Sequence, residues 1–379
     1  MSALAELFVR RGTVVTGCDA AGDPTGDLGR LGIEVNTGHD PLHVDGARAV
    51  VVTSALPKDH PELQRARELG VPVIRRAEAL GEAVSGGELV AIAGTHGKTT
   101  TTVMTTEALH AAGREPTGVV GGRVGTWGGN LRYGSDRLFV VEADEYDRSF
   151  LALTPTVAVV TNVEADHLDI YADLADIHRT FERFASPART IVLCADDAGA
   201  NKLAMPSTAE VIRYGMHSTD ARLLAVDVRT EGGGSLFEVE YDDEMLGEVE
   251  LSVPGLHNVL NALAAIGSGL ALGVTVEAMR PGLAAFRGVE RRFQRLAWRP
   301  VSMSSTTTPT IRRRFAPRWR LRERHIRAVE SWLRSSRIYT RARGTSRASS
   351  VRRSRQRTRC SSRTSIRRAS RQFRASPPR

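Results

Sequence analysis

The residues best suited to chemistry stand close together in Gly94-Thr95-His96-Gly97-Lys98-Thr99-Thr100, directly after the apolar run Leu89-Val90-Ala91-Ile92-Ala93. A Gly-rich turn between a strand and a helix offers backbone N–H groups and a helix N-terminus to an anion, which suits phosphate. In such a turn Lys98 reaches the β- and γ-oxygens of a nucleotide and the Thr99 hydroxyl is placed to ligate Mg²⁺. The generic form of the loop asks for a first glycine at position 92, where this chain has Ile92, so the loop is a variant. Lys98 also stands out by scarcity: it, Lys58 and Lys202 are the only three lysines in a chain that otherwise uses Arg.

Two acidic runs follow, Val141-Glu142-Ala143-Asp144-Glu145-Tyr146-Asp147 and Thr161-Asn162-Val163-Glu164-Ala165-Asp166-His167-Leu168-Asp169. Each ends an expected strand, which puts its polar groups at the carboxyl edge of a parallel sheet, where open α/β folds bind ligands. Mg²⁺ prefers oxygen ligands and usually takes one or two protein carboxylates. A solvated acidic turn is the alternative for the first run. A lone His167 would read as structural, but beside a phosphate loop and a second acidic strand end it reads as a ligand. Asn258 and Asn261, three apart, share one helix face, with a capping or core-polar role as the alternative to ligand binding.

The elements that must position these groups follow from the hydrophobic rhythm. Short apolar runs at Thr13–Gly17, Ala49–Thr53 and Val71–Ile74, with a helix over His60–Leu69, have the pattern of a parallel α/β unit. Asp19, after the first of these, is placed to bind a ribose or a loop amide. A second unit opens at Glu88 and continues through a helix over Thr99–Ala112 and strands at Leu138–Ala143, Val157–Val163 and Ile191–Cys194. A helix over Leu174–Phe184, a β-rich stretch over Val226–Val253 and an apolar helix over His257–Leu272 complete it. This predicts a doubly wound sheet.

Charge separates the chain into two materials. The net +9 of the 379 residues hides a segment from Val301 onward with 24 Arg, no Lys and two acids, Glu323 and Glu330, which is +22. The preceding 300 residues hold 28 basic and 41 acidic side chains, or −13. Periodicity ends after Gln294, and a tail with 15 Ser and 24 Arg in 79 residues lacks the apolar side chains of a packed core, which predicts disorder. No apolar run approaches the roughly 18 residues of a membrane span, and the amphipathic MSALAELFVRRG lacks the apolar core of a secretory signal. Cys18, Cys194 and Cys360 stand far apart without metal-ligand spacing and read as reduced thiols of a cytoplasmic protein.

Five motifs in order, GTHGKTTT, EADEYDRSFL, TNVEADHLD, GLHNVLNA (Gly255–Ala262) and Arg291-Arg292-Phe293, resemble those of the Mur ligases, the ATP-dependent amide-forming enzymes of peptidoglycan synthesis, over about residues 1 to 294. The resemblance implies ATP and Mg²⁺ as cofactors, with Gly94, Thr95, His96, Gly97, Lys98, Thr99 and Thr100 on the phosphates and Thr99, Glu142 and His167 on the metal. It places Lys98, Glu142 and His167 in catalysis, Asn258 and Asn261 near the adenine, and Arg291 or Arg292 near the phosphates. Other branches use a carbamylated lysine soon after the Asp-His motif. Glu182 and Arg183 occupy that neighbourhood here and no lysine follows before Lys202, which fits the alanine-adding branch, with UDP-N-acetylmuramate and L-alanine as substrates. The implied organisation is a UDP-sugar-binding Rossmann-like domain over 1–85, a central ATP-binding domain over 86–294, and a non-native tail over 295–379 in place of a C-terminal Rossmann-like domain. The first strand and Gly-rich turn of the sugar domain are expected to be missing, since MSALAELF resembles the helix that follows them.

The tail has its own explanation. The family expects DDYAHHPTE and later FQPHxYSRT, and neither is present. Permitted codons for Ser305-Thr306-Thr307-Thr308-Pro309-Thr310-Ile311-Arg312, regrouped from the third base of the first, read Asp-Asp-Tyr-Ala-His-His-Pro. The same offset turns Arg334–Arg343 into Phe-Gln-Pro-His-Leu-Tyr-Ser-Arg-Thr, which predicts a frameshift between Gln294 and about Ser302. Two other readings remain: a murein-tripeptide recycling ligase of the same family, and a nucleic-acid-binding protein whose Arg-rich arm contacts phosphates. The acidic body and the absence of Gly spacing or interleaved aromatics in the tail weigh against the second.

Overall fold

The computed structural model describes residues 1–289 apart from Leu168 and Glu231, together with the backbone of 337–341. Met1–Arg343 form one compact unit; the other, Gly344–Arg379, lies outside the described residues.

The chain opens with helix α1 (Ser2–Arg10), which buries Ala3, Leu4, Ala5 and Leu7 along one stripe. Strand β1 (Val14–Asp19), the short helix α2 (Asp27–Arg30), β2 (Glu34–Thr37), β3 (Ala49–Val52), helix α3 (Pro61–Glu68), β4 (Val73–Arg75) and helix α4 (Arg76–Val84) follow. β1 pairs with β2 and β3 with β4, both parallel, as the alternating pattern predicts. Between β1 and β3 runs β15 (Arg337–Arg341), antiparallel to both, so the sheet order is β2-β1-β15-β3-β4. Five residues of the segment expected to be disordered thus lie in a strand. β1 and β3 face each other across one strand width, and their inward N–H and C=O groups need partners. Arg337-Ile338-Tyr339-Thr340-Arg341, with a β-branched and aromatic centre, supplies them. The rest of the expected disorder lies outside the described residues.

The second sheet begins with β5 (Glu88–Ala93), helix α5 (Lys98–Ala111), the hairpin β6 (Thr117–Val124) and β7 (Gly129–Arg132), β8 (Leu138–Glu142) and β9 (Val157–Val160). Helix α6 (Leu174–Ala185), β10 (Thr190–Cys194), β11 (Glu210–Gly215), β12 (Leu223–Arg229), β13 (Ser235–Tyr241) and β14 (Glu244–Leu251) continue it. Helices α7 (Leu256–Ala271) and α8 (Val276–Ala285) end the described body. The order of the ten strands is β14-β13-β12-β11-β10-β9-β5-β8-β6-β7. The run from β12 to β6 is parallel, and β13, β14 and β7 add antiparallel edges.

Burial explains why the central strands read as unbroken apolar runs: every residue of β9 and β10 is buried, because both faces of the sheet are covered. On one face α5, α7 and α8 pack Val103, Met104, Leu263 and Met279 onto the sheet. On the other α1, α4 and α6 bring Leu7, Leu80, Phe181 and Phe184. The architecture is the expected α/β doubly wound sheet. α8 escapes the periodicity reading because Pro281 lies inside it, where a proline ordinarily ends a helix; the burial of Met279 and Leu283, both 0% exposed, holds it in place.

Candidate functional site

The turn between β5 and α5 is shaped by what presses on it. Gly94 has φ +141°, and a Cβ there would lie 2.0 Å from Thr161 Oγ1 and 3.1 Å from the Asn162 backbone. Gly97, the residue before α5, has φ +84°, and its Cβ would lie 2.7 Å from Asn261 Oδ1. Both positions demand glycine by conformation and by space. Ile92, where the generic loop has its first glycine, is a fully buried residue of β5, so the turn starts two residues later.

The end of β9 braces the turn. The Thr95 amide donates to Asn162 O at 3.1 Å, the His96 amide to Asn162 Oδ1 at 2.7 Å, and Thr161 Oγ1 donates to His96 O at 2.7 Å. Lys98 Nζ donates to Gly94 O at 2.7 Å and to both carboxylate oxygens of Glu145, at 2.8 and 2.7 Å. Glu145 is buried, and that burial pushes its carboxyl above the usual range while Lys98 pulls it back in part. Thr99 Oγ1 donates to Glu142 Oε1 at 2.7 Å, and Glu142 Oε2 accepts from the Gly121 amide at 2.6 Å. The structure therefore brings together Thr99 and Glu142, two hard oxygen donors of the kind Mg²⁺ takes. His167 lies with the Lys98–Glu145 pair: its Nε2 is 3.9 Å from Glu145 Oε1 and 3.8 Å from Asp166 Oδ2. Its ring meets Tyr146 edge-on at 5.2 Å, and its φ of +54° is a left-handed conformation that favours glycine.

Beside the loop opens a cavity of about 480 Å³ lined by His96, Gly97, Thr100, Asn162, Asn258 and Asn261 among others. Asn258 Nδ2 donates to Pro254 O at 2.7 Å, and Asn261 Oδ1 accepts from Thr101 Oγ1 at 3.1 Å. Both asparagines thus tie α7 to its surroundings, as the core-polar reading has it, and both also line the cavity. Phosphate-sized space, a helix N-terminus and an adjoining polar and apolar cavity fit a nucleotide.

Known proteins agree with this geometry. The family model of the Mur ligase catalytic domain matches residues 1–87 and that of the Mur ligase middle domain residues 92–269. The UDP-N-acetylmuramate–L-alanine ligase of Acidothermus cellulolyticus is 46% identical over 301 residues, 78% of this chain and 63% of that protein. Its namesake in Salinispora arenicola is 44% identical over 302 residues, 78% of this chain and 59% of that protein. The solved UDP-N-acetylmuramate-alanine ligase of Thermotoga maritima superposes with a TM-score of 0.70 at 30% identity, over 79% of this chain and 69% of that one. The chain belongs to the Mur ligase family. It spans about three-fifths of the length of the two curated relatives described.

In this Mur ligase, Arg291 and Arg292 lie outside the described residues. Asp19 uses a carboxylate oxygen on a loop amide, accepting from Ala21 N at 2.8 Å. Two residues absent from the sequence-based site take part in it: Glu145, which holds Lys98, and Asn162, which braces the loop through its main chain and side chain. Both lie in the acidic strand-end runs, and only their position against the turn singles them out. Cys18 and Cys194 are reduced thiols, as the sequence suggests. Cys18 lies within 3.3 Å of His39 and 3.1 Å of Glu62, a proximity that separations of 21 and 44 residues conceal.

Proposed function

We propose that this Mur ligase chain carries the UDP-sugar-binding domain, over 1–85, and the ATP-binding domain, over 86–294, of an enzyme that joins L-alanine to UDP-N-acetylmuramate in peptidoglycan synthesis. The observation behind this reading is the strand–turn–helix loop in which Lys98 meets Gly94 O and Glu145 while Thr99 meets Glu142. A carboxylate of the nucleotide sugar attacks the γ-phosphorus of ATP, ADP leaves, and the alanine amine then displaces phosphate from the acyl phosphate to form the amide. The phosphoryl step is catalysed chiefly by positioning and charge neutralisation. Backbone amides of 94–100 and the α5 N-terminus hold the phosphates, and Lys98 leaves Glu145 for the phosphate oxygens when the nucleotide enters. Thr99 and Glu142 would hold Mg²⁺, which neutralises phosphate charge when bound. His167 would be a further ligand of the same metal. Asn258 and Asn261 would face the adenine, and the sequence motif assigns Arg291 or Arg292 to the phosphates. We place the enzyme in the cytoplasm, where nucleotide sugars and ATP are found; among the described residues no helix is long and apolar enough to cross a membrane.

The alanine-binding domain is supplied in the offset reading frame of the tail. The deciding experiment is a ligation and ADP-release assay with UDP-N-acetylmuramate and L-alanine. It is run on this chain and on a version with the frame restored after Gln294 and the N-terminus extended. The restored enzyme should form the amide and lose turnover on chelation of Mg²⁺, and the chain as given should not. Full ligation by the present chain would overturn the reading of its tail. The alternative acceptor, a murein tripeptide, is suggested by the tripeptide ligase of Neisseria meningitides, 29% identical with a TM-score of 0.68 over 77% of this chain and 96% of that one. It belongs in the same assay, and preference for it would replace alanine.

A further inference from the structure

We propose that Asn130 is a positioning residue for the carboxylate of Glu142, acting through the backbone of Gly121; the inference rests on the placing of Mg²⁺ at Thr99 and Glu142 proposed above. Strand β6 loses both of its ladders at one point. Toward β8 its parallel pairing stops at Val119 opposite Val141, one residue short of Glu142. Toward β7 the register jumps from Val119 opposite Leu131 to Val124 opposite Gly129, so residues 120–123 stand against Asn130 alone. A bulge of this size leaves backbone N–H and C=O groups without ladder partners, and bulges re-aim the chain beside active sites.

At Gly121 both freed groups are taken by side chains from the two flanking strands. Its amide donates to Glu142 Oε2 at 2.6 Å, and its carbonyl accepts from Asn130 Nδ2 at 3.0 Å. The other end of that carboxamide, Oδ1, accepts from Ser2 Oγ of α1 at 3.5 Å. Glu142 keeps Oε1 toward Thr99 Oγ1 at 2.7 Å, and Gly122 lies against the same threonine, where a Cβ would sit 3.7 Å from Thr99 Cγ2. The bulge therefore bears on both residues assigned to the metal. A metal-ligating carboxylate is ordinarily held by a hydrogen bond of its own, which fixes its orientation before the cation arrives. Gly121 supplies that bond, and its short length suits an ionised acceptor. The rest of the hairpin is fixed elsewhere, by Trp127 Nε1 on Glu107 Oε1 of α5 at 2.6 Å and by Arg123 on Gly128 O at 3.1 Å. Neither contact touches Gly121; the Asn130 side chain does.

The test is calorimetric titration of the full chain with ADP, in the presence of Mn²⁺ and in chelator; the ratio of the two affinities isolates the metal's share. Asn130→Leu, which keeps the bulk and loses the donor, should reduce that ratio by about tenfold and leave the affinity in chelator unchanged. Asn130→Gln retains a carboxamide donor and should recover part of the ratio. Thr126→Ala, at the exposed tip of the same hairpin, should keep it whole. Electron paramagnetic resonance of bound Mn²⁺ reads the same loss directly. A structural role alone would lower both affinities together, or lower the melting temperature with the ratio intact, and either result overturns the proposal. A loss confined to binding of UDP-N-acetylmuramate, with the ratio intact, overturns it as well and moves Asn130 to the sugar. Glu142→Gln separates this inference from the reading beneath it. A ratio that falls in Glu142→Gln but not in Asn130→Leu removes Asn130 alone. A ratio that ignores Glu142→Gln, or no metal-dependent gain in the unchanged chain, removes the metal placement with it.

Discussion

Lys98 and Glu145 set the terms at the phosphate loop. Nζ is held by two carboxylate oxygens and Gly94 O, so in the proposed function the phosphates of an incoming nucleotide compete with Glu145 for the lysine. Replacing Lys98 with Met in the frame-restored enzyme should lower ATP turnover by roughly 10²–10³-fold, the usual cost of one lost transition-state charge partner, as steady-state ADP release would measure. Glu145 offers a second test. Burial raises its carboxyl from the ordinary 4.5, so the folded state holds this proton more tightly than the unfolded chain does. That stabilisation is complete below 4.5 and is lost as pH rises through the raised folded value. The stability of the wild type minus that of Glu145→Gln should therefore fall with rising pH across this window in denaturant titrations. A flat or rising difference would contradict the assigned cause.

At the scale of elements, the loop works because β9, β5 and α7 leave it only one course. Gly94→Ala introduces a Cβ 2.0 Å from Thr161 Oγ1 at φ +141°. It should destabilise the protein by about 1–3 kcal/mol and abolish ATP binding, read by thermal melts with and without nucleotide. Helix α6 depends on its aromatic face: the Phe150 ring stacks on Phe184 at 4.8 Å and meets Phe181 edge-on at 5.2 Å. Phe181 is 0% exposed, so Phe181→Ala should cost about 3–5 kcal/mol in denaturant unfolding. Both elements were legible in the chain, α6 from its apolar spacing and the loop from its composition. The β6–β7 hairpin, β11 and α8 were not: β7 is a four-residue edge strand, and β6, β11 and the helix containing Pro281 are defined by what they pack on.

For the molecule as a whole, the charge contrast between a −13 body and a +22 tail marks where the family's pattern stops. Neither family model reaches past residue 269, and the described body ends at Val289 before the strand at 337–341. Restoring the offset frame should change the protein's pI, now about 10.0, to an acidic one, because the Arg excess belongs to the tail. Isoelectric focusing of the two forms checks this without any assay of function.

By itself, the sequence determined the family, the doubly wound class and the phosphate loop. Those signals are local: a Gly-rich turn between an apolar strand and a helix, and apolar runs whose length and spacing name the element. Only the tertiary structure decided which side chains meet. Glu145 rather than Asp144 holds Lys98, Thr99 shares Glu142, and Cys18 meets His39 and Glu62. Such pairs join residues that are distant in the chain, and the register of a parallel sheet, which sets which strand ends lie side by side, arises from packing over the whole core.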